Sequence, residues 1–162
     1  MEITVRGAVA GDIRVLVDFN LRMAEETEGK SLDGETLAAG VEAVVVGTES
    51  EGVPTGRYLV AEVDGRVVGA LMHTWEWSDW RNGVVWWLQS VFVEPEFRRR
   101  GVFRLLYETL RSQARNGERV VGLRLYVEGD NRGAQATYAR LGMSPSGYTV
   151  MEELFTESAE RG

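Results

Sequence analysis

The chain has 162 residues, a length that suits a single domain with one sizeable hydrophobic core. Its net charge of −7 opposes non-specific attraction to nucleic acids or anionic lipid, and no apolar run approaches the length needed to cross a bilayer. With no cysteine and one histidine, a thiol nucleophile is excluded and a structural zinc site has too few of its usual ligands.

The first third of the chain predicts one strand and two helices. Residues 3–8 alternate loosely and predict a first strand, and Gly11-Asp12 signals a helix start. The apolar stripe that follows predicts a helix ending in a polar loop, Glu25–Lys30. Asp33 is a candidate cap for a second helix, and residues 49–56 predict an exposed connection because they are rich in turn formers.

The centre of the chain predicts an antiparallel meander. Two apolar runs, residues 58–63 and 67–77, flank Asp64-Gly65 and form the clearest hairpin signal in the sequence. The run from Val84 to Val93 is rich in β-branched and aromatic residues and stops at Glu94-Pro95, which predicts a buried strand. Strands two, three and four are therefore expected to be neighbours.

The last third predicts two further pairs of helix and strand. Apolar residues three and four apart predict a helix that starts near Arg100 and stops at Asn116-Gly117. Residues 120–127 predict a strand, and a helix closed by Gly142 follows. Residues 144–155 predict a final strand region, and residues 155–162 a frayed acidic tail. Because no repeat or linker interrupts this order, we expect one α/β domain over residues 1–162.

The turn after the central strand has the chemistry of an anion site. Arg98, Arg99, Arg100 and Arg104 surround Gly101 where a helix begins, and the first N–H groups of a helix have no partner inside it. Such N–H groups, flanked by arginines, suit the oxygens of a phosphate or pyrophosphate. A solvated arginine run is the alternative, but positive charge at this end opposes the helix dipole. Neither GxxxxGK[ST] nor GxGxxG occurs, so the two commonest nucleotide loops are absent.

The same turn resembles the acyl-CoA pyrophosphate loop of the GNAT N-acetyltransferases, which has the pattern V-x-V-x(4)-[QR]-x-x-G-x-[GA]. Val91, Val93, Arg98 and Gly101 match this pattern, and Phe103 stands where the family usually has glycine or alanine. A backbone N–H remains available at that position whatever the side chain.

A second GNAT motif, V-x-x-x-N-x-x-A-x-x-x-Y-x-x-x-G-F, follows in the expected order. Asn131, Ala134, Tyr138 and Gly142 match it, and Met143 replaces the common aromatic residue. Two spaced motifs in the right order are far more specific than either alone. The motifs together cover residues 84–143.

The resemblance implies a single GNAT-like α/β (α+β) domain. Its sheet would be mixed and mostly antiparallel, with six to seven strands, about four flanking helices and a splay between strands 4 and 5. Acetyl-CoA would be the co-substrate, without a metal, its pantetheine arm along strand four and its pyrophosphate in the arginine turn. The residues expected to bind it are Val91, Val93, Arg98, Arg99, Arg100, Gly101, Val102, Phe103, Arg104 and Asn131.

By the same resemblance, Tyr138 matches the family's general acid, which protonates the leaving thiolate. A core tyrosine on the inner face of a helix is the alternative, just as Asn131 would serve as a helix cap.

The general base is open. Glu25, Glu26 and Glu28 follow the first helix, where the family often builds its acceptor wall, although a charge cluster on a loop is usually solvated surface. Of these three, Glu28 and Glu25 are favoured. Glu76, Gln89 and Ser90 are further candidates, and a proton path through water would make any single base dispensable.

These features predict a cytoplasmic N-acetyltransferase that moves an acetyl group directly to a primary amine of a small molecule or peptide. Neither nucleic acid nor membrane is expected as a partner, and an exposed last strand is compatible with a homodimer. Aminoglycoside-like xenobiotic amines are an alternative acceptor class. A domain that senses acyl-CoA without catalysis is a second alternative, for which Phe103 and the uncertain base are the only support.

Overall fold

A computed structural model describes residues 1–47 and 55–155 of the chain. Contacts divide the chain into two compact units, one that runs to Arg124 and one that begins at Leu125. The connection predicted over residues 49–56 and the tail predicted over residues 155–162 lie mostly outside the described residues. The assignment of residues 1–162 to one domain stays a prediction.

The first unit is built on a five-stranded sheet. Its spatial order is the chain order, β1 to β5; the first four strands pair antiparallel and β5 pairs parallel to β4. The predicted mixed, mostly antiparallel sheet is confirmed, whereas the predicted six to seven strands are corrected to five within the described residues. The strands are β1 Thr4–Gly7, β2 Arg57–Val63, β3 Arg66–Ser78, β4 Gly83–Val93 and β5 Val120–Arg124.

The missing strand is the one predicted at the end of the chain. Residues 144–155 form no strand and are exposed throughout. Pro145 has no N–H to give to a ladder, and Gly147 turns the backbone with a φ of 82°. The strand predicted over residues 120–127 is also shorter and ends at Arg124.

Four α-helices accompany the sheet, as predicted: α1 Ile13–Glu28, α2 Gly34–Glu42, α3 Val102–Asn116 and α4 Arg132–Arg140. The Asp33 side chain accepts a hydrogen bond from the Thr36 N–H at 2.8 Å, so the predicted cap of α2 is present. The predicted loop from Glu25 is wrong, because α1 continues to Glu28 and ends at Gly29, which has a φ of 62°. No helix in the described ranges is long and apolar enough to cross a membrane.

The helices of the first unit pack on both faces of the sheet. Leu16 and Phe19 of α1 contact a cluster that includes Val60 and Ala70 on the strands. On the opposite face, a side chain added at Gly69 would come within 2.9 Å of Val102, so glycine at this position allows α3 to lie close to β3. The result is a rigid support for β4 and the turn that follows it.

Candidate active site

The strand β4 is paired with β5 over only part of its length. The paired segment begins where Val84 lies opposite Val120 and ends where Trp87 lies opposite Arg124, the last residue of β5. Strand β4 continues beyond this point to Val93. This agrees with the expected separation of strands 4 and 5.

The orientation of the backbone in the last part of β4 follows from one hydrogen bond. The Glu94 N–H donates to the Val68 carbonyl of β3 at 2.9 Å. Because backbone groups alternate along a strand, the N–H and C=O groups of Val91 and Val93 point away from β3. They therefore face the side from which β5 has departed, where the arm of a cofactor is expected.

An extra residue interrupts the pairing of β4 with β3 just beyond Trp87. Met72 pairs with Gln89 and Ala70 with Phe92, so Ser90 and Val91 together face a single residue of β3. Ser90 has a φ of 49°, a left-handed conformation that glycine normally occupies in this type of bulge. Bulges re-aim backbone groups and are common beside active sites.

The turn after β4 presents main-chain N–H groups at the start of α3. Arg99 and Gly101 both have left-handed backbones, with φ of 61° and 89°. No side chain caps the helix at Gly101, and the Leu105 N–H makes a helical hydrogen bond to the Gly101 carbonyl at 2.9 Å. In the first turn of a helix, N–H groups such as those of Val102 and Arg104 precede the first helical hydrogen bond and have no partner inside the helix itself.

The four arginines of the turn differ in what they contact. The Arg98 Nε donates to the Val93 carbonyl at 2.9 Å, and its Nη2 pairs with Glu26 at 2.6 Å. Arg104 pairs with Glu108 at 2.8 Å. Arg99 and Arg100 are exposed and form no ion pair with described residues, although the Arg100 guanidinium lies 5.9 Å from the ring centre of Phe97.

Two ion pairs of opposite polarity fasten the turn to α1. Arg22 donates to both oxygens of the buried Glu94, at 3.1 and 2.7 Å, and Glu26 accepts from Arg98 one helical turn further on. Glu26 was expected only as part of an acceptor wall, and its pairing with Arg98 was not predicted because Glu25–Lys30 was expected to form a loop. On a helix, the spacing of four between Arg22 and Glu26 puts both on one face.

The glutamates predicted as bases lie at the end of α1. Glu25 and Glu28 are both exposed in the last turn, and Glu28 pairs with Lys30 at 3.0 Å.

Glu76, the candidate on β3, is more strongly fixed. Its carboxylate accepts from Arg124 Nη1 at 2.9 and 3.1 Å and from the Trp87 indole N–H. Gln89 donates to the Thr74 hydroxyl at 2.8 Å on the same strands. A polar cluster therefore crosses β3, β4 and β5 beside the bulge. The exposed Trp77 and Trp80 lie outside this cluster, at the β3–β4 turn.

The second unit carries the remaining predicted site residues. The Asn131 side chain accepts from the Ala134 N–H at 3.0 Å and caps α4, so the helix-cap alternative is confirmed. Tyr138 lies on α4, and burial raises the pKa of its phenol. The phenol is therefore protonated at neutral pH, which is the state that a general acid requires.

His73 is separate from these candidates. It is buried on β3, its ring stacks on Trp86 at 4.4 Å, and burial followed by the charge of Arg57 lowers its pKa to about 4. In the part of the chain that the structure describes, no group of three or more histidine, cysteine or acidic side chains is placed to hold a metal.

The fold and the turn are those of an acyltransferase. The sequence model of the Acetyltransferase (GNAT) family matches residues 24–143, and the chain belongs to this family. The predicted family and the predicted enzyme class, an acyltransferase of the N-acetyltransferase type, are both confirmed.

Solved structures show the same fold. A possible acetyltransferase from Clostridium difficile 630 is 40% identical, with a TM-score of 0.85 over 96% of this chain and 99% of that chain. AAC(6')-Iy, solved with the bisubstrate analogue CoA-S-monomethyl-acetylneamine, is 16% identical, with a TM-score of 0.73 over 95% and 99%. Glucosamine-6-phosphate N-acetyltransferase from Arabidopsis thaliana is 18% identical, with a TM-score of 0.69 over 96% and 100%. No curated protein matches the chain by sequence.

Proposed function

We propose that this chain transfers the acetyl group of acetyl-CoA directly to a primary amine of a small molecule or peptide. The observation that carries the proposal is the uncapped start of α3, which follows a strand whose Val91 and Val93 backbones face away from β3. Family members use acetyl-CoA, and the residues present fit that molecule. The N–H groups of a helix start and exposed guanidinium groups suit its diphosphate, and a strand edge beyond the end of β5 suits the amides of its arm.

The cofactor-binding residues divide between the strand and the turn. Backbone groups of Val91 and Val93 would hold the arm, and N–H groups from Gly101 to Arg104 would hold the diphosphate. Arg99 and Arg100 would add charged hydrogen bonds from their exposed positions.

Arg98 and Asn131 already make other hydrogen bonds in the structure, which affects their proposed contacts with the cofactor. The Arg98 side chain must first leave Glu26 and the Val93 carbonyl if it is to reach a phosphate. Asn131 is proposed as a further contact that also caps α4.

Two side chains share the acid–base roles. Acetyl-CoA supplies a thioester whose C–S bond breaks as the amine nitrogen bonds to the acetyl carbon. Tyr138 donates its phenolic proton to the leaving sulfur, since the phenol is protonated at neutral pH. Glu25 is favoured over Glu28 to accept the amine proton, since Glu28 already pairs with Lys30.

The test is turnover of acetyl-CoA with a panel of amines, measured as release of free thiol. We expect saturable turnover with at least one primary amine. CoA binding without turnover on any amine would favour the sensor, and turnover confined to aminoglycosides, with antibiotic protection on expression, would assign the xenobiotic class.

The same assay tests Tyr138. Tyr138→Phe should lower kcat by about two orders of magnitude, the contribution typical of a positioned general acid, and should leave CoA affinity unchanged. A fully active phenylalanine variant would remove Tyr138 from the acid role.

A further inference from the structure

Three polar side chains, Asn20, Tyr58 and Ser90, lie in series between α1 and β4 and are called the polar series below. Asn20 has 7% of its surface exposed, and its Nδ2 donates to the Leu16 carbonyl at 2.8 Å and to the Tyr58 hydroxyl at 3.2 Å. The Tyr58 hydroxyl lies near the Ser90 side chain, and both side chains line one small cavity together with Asn20. Tyr58 is 6% exposed and belongs to β2, so its side chain extends past β3 toward the cavity that it shares with Ser90 of β4.

The last residue of the polar series, Ser90, is the one whose backbone is strained within β4. Ser90 occupies the bulge position with a φ of 49°, where glycine would carry no steric cost. A serine therefore needs a compensating interaction, and the Tyr58 hydroxyl is a polar group near it in that cavity. Asn20 is equally unusual, since it is a polar residue on the buried face of a helix whose other buried members include Leu16 and Phe19.

Because of where the bulge lies, the polar series can affect the direction of the β4 backbone as well as stability. The bulge lies just past the end of the β4–β5 pairing and immediately before the Val91 backbone groups that face the open side. A small change at Ser90 would rotate those groups, because a bulge sets the direction of the strand that follows it.

We propose that Tyr58 and Asn20 are positioning residues, which hold Ser90 in its left-handed conformation and so aim the Val91 backbone at the acetyl-bearing end of the cofactor arm. This inference rests on the proposed function, which places the arm along β4. A displacement of about 1 Å at a reacting centre can cost a factor of about a hundred in rate. The diphosphate contacts lie elsewhere, in the turn, and should be unaffected.

The experiment compares variants that remove single hydroxyl groups. Tyr58→Phe and Ser90→Ala should each lower kcat about tenfold or more and leave the affinity for CoA within about twofold. The kcat of the double variant should be little lower than that of either single variant, because both substitutions interrupt the same polar series. Ser90→Gly should retain more activity than Ser90→Ala, since glycine adopts the bulge conformation without the hydroxyl.

The matched control is Tyr107→Phe, which removes another buried tyrosine hydroxyl, on α3, and should keep the wild-type kcat. All assays should be run at a temperature well below the melting temperature of each variant. Wild-type kcat in Tyr58→Phe and Ser90→Ala, or fully additive losses in the double variant, would overturn the proposal.

A second readout separates this proposal from the acetyl transfer on which it rests. The NMR amide shifts of Ser90 and Val91 should move in Tyr58→Phe and stay in place in Tyr107→Phe. If the wild-type protein turned over no amine, the proposed function would fail, and unmoved shifts in Tyr58→Phe would show independently that the side chains do not hold the bulge.

Discussion

The charge of His73 is set by its surroundings. The ring is 1% exposed, and neither of its nitrogens has a hydrogen-bond partner among the described residues. Trp86 stacks on one side, Trp75 contacts the ring edge-on at 5.6 Å, and the Arg57 charge adds to the cost of protonation. The ring is therefore neutral in the folded protein, with a pKa of about 4 in place of the ordinary 6.5.

This residue should make the protein sensitive to mild acid. Above pH 6.5 the ring is neutral in both states, but as the pH falls toward 4 only the unfolded chain takes up the proton. The free energy of unfolding should therefore fall by up to about 3 kcal/mol across that window. Denaturant unfolding of wild type and His73→Leu at several pH values measures it. Because other groups titrate equally in both proteins, a difference between them that did not change with pH would contradict this assignment.

At the scale of elements, the turn after β4 is linked to α1 through the ion pair of Glu26 with Arg98, and in the proposed site this ion pair would compete with the cofactor for Arg98. Glu26→Gln should release the Arg98 guanidinium and tighten CoA binding a few-fold, whereas Arg100→Ala should weaken it about tenfold through loss of a charged hydrogen bond. Calorimetric titration with CoA measures both. Arg81→Ala, an exposed arginine at the other end of β4, is the control and should bind like wild type. Weaker binding in Glu26→Gln would mean that the pair organises the site instead of competing for it.

The same elements show how far sequence reasoning reaches. The β2–β3 hairpin, the apolar face of α3 and the Asp33 cap were all predictable, because period, turn residues and caps are local signals. Of the candidate site, the arginine turn and the Gly101 helix start were also predictable for that reason.

What could not be predicted depends on distant partners. The bulge at Ser90 is set by the register of β4 against β3, and the Asn20–Tyr58 hydrogen bond joins residues 38 positions apart. The end of α1 was misplaced because a run of glutamates is compatible with helix and loop alike, and only Gly29 marks the end.

For the whole molecule, charge is the main constraint on binding the cofactor. The chain carries −7 overall, yet residues 94–104 hold four arginines and two glutamates, a local balance of +2. An acidic protein that binds a polyanion must concentrate its attraction in such a turn, and added salt should weaken that attraction.

The most direct measurement compares CoA with pantetheine, which keeps the arm but lacks the diphosphate and nucleotide, by calorimetric titration of the intact chain. The structure leads us to expect CoA to bind at least about a hundredfold more tightly, since several charged hydrogen bonds to phosphate oxygens are lost with pantetheine. Equal affinities for the two compounds would contradict the central claim that the start of α3 and its arginines bind the diphosphate.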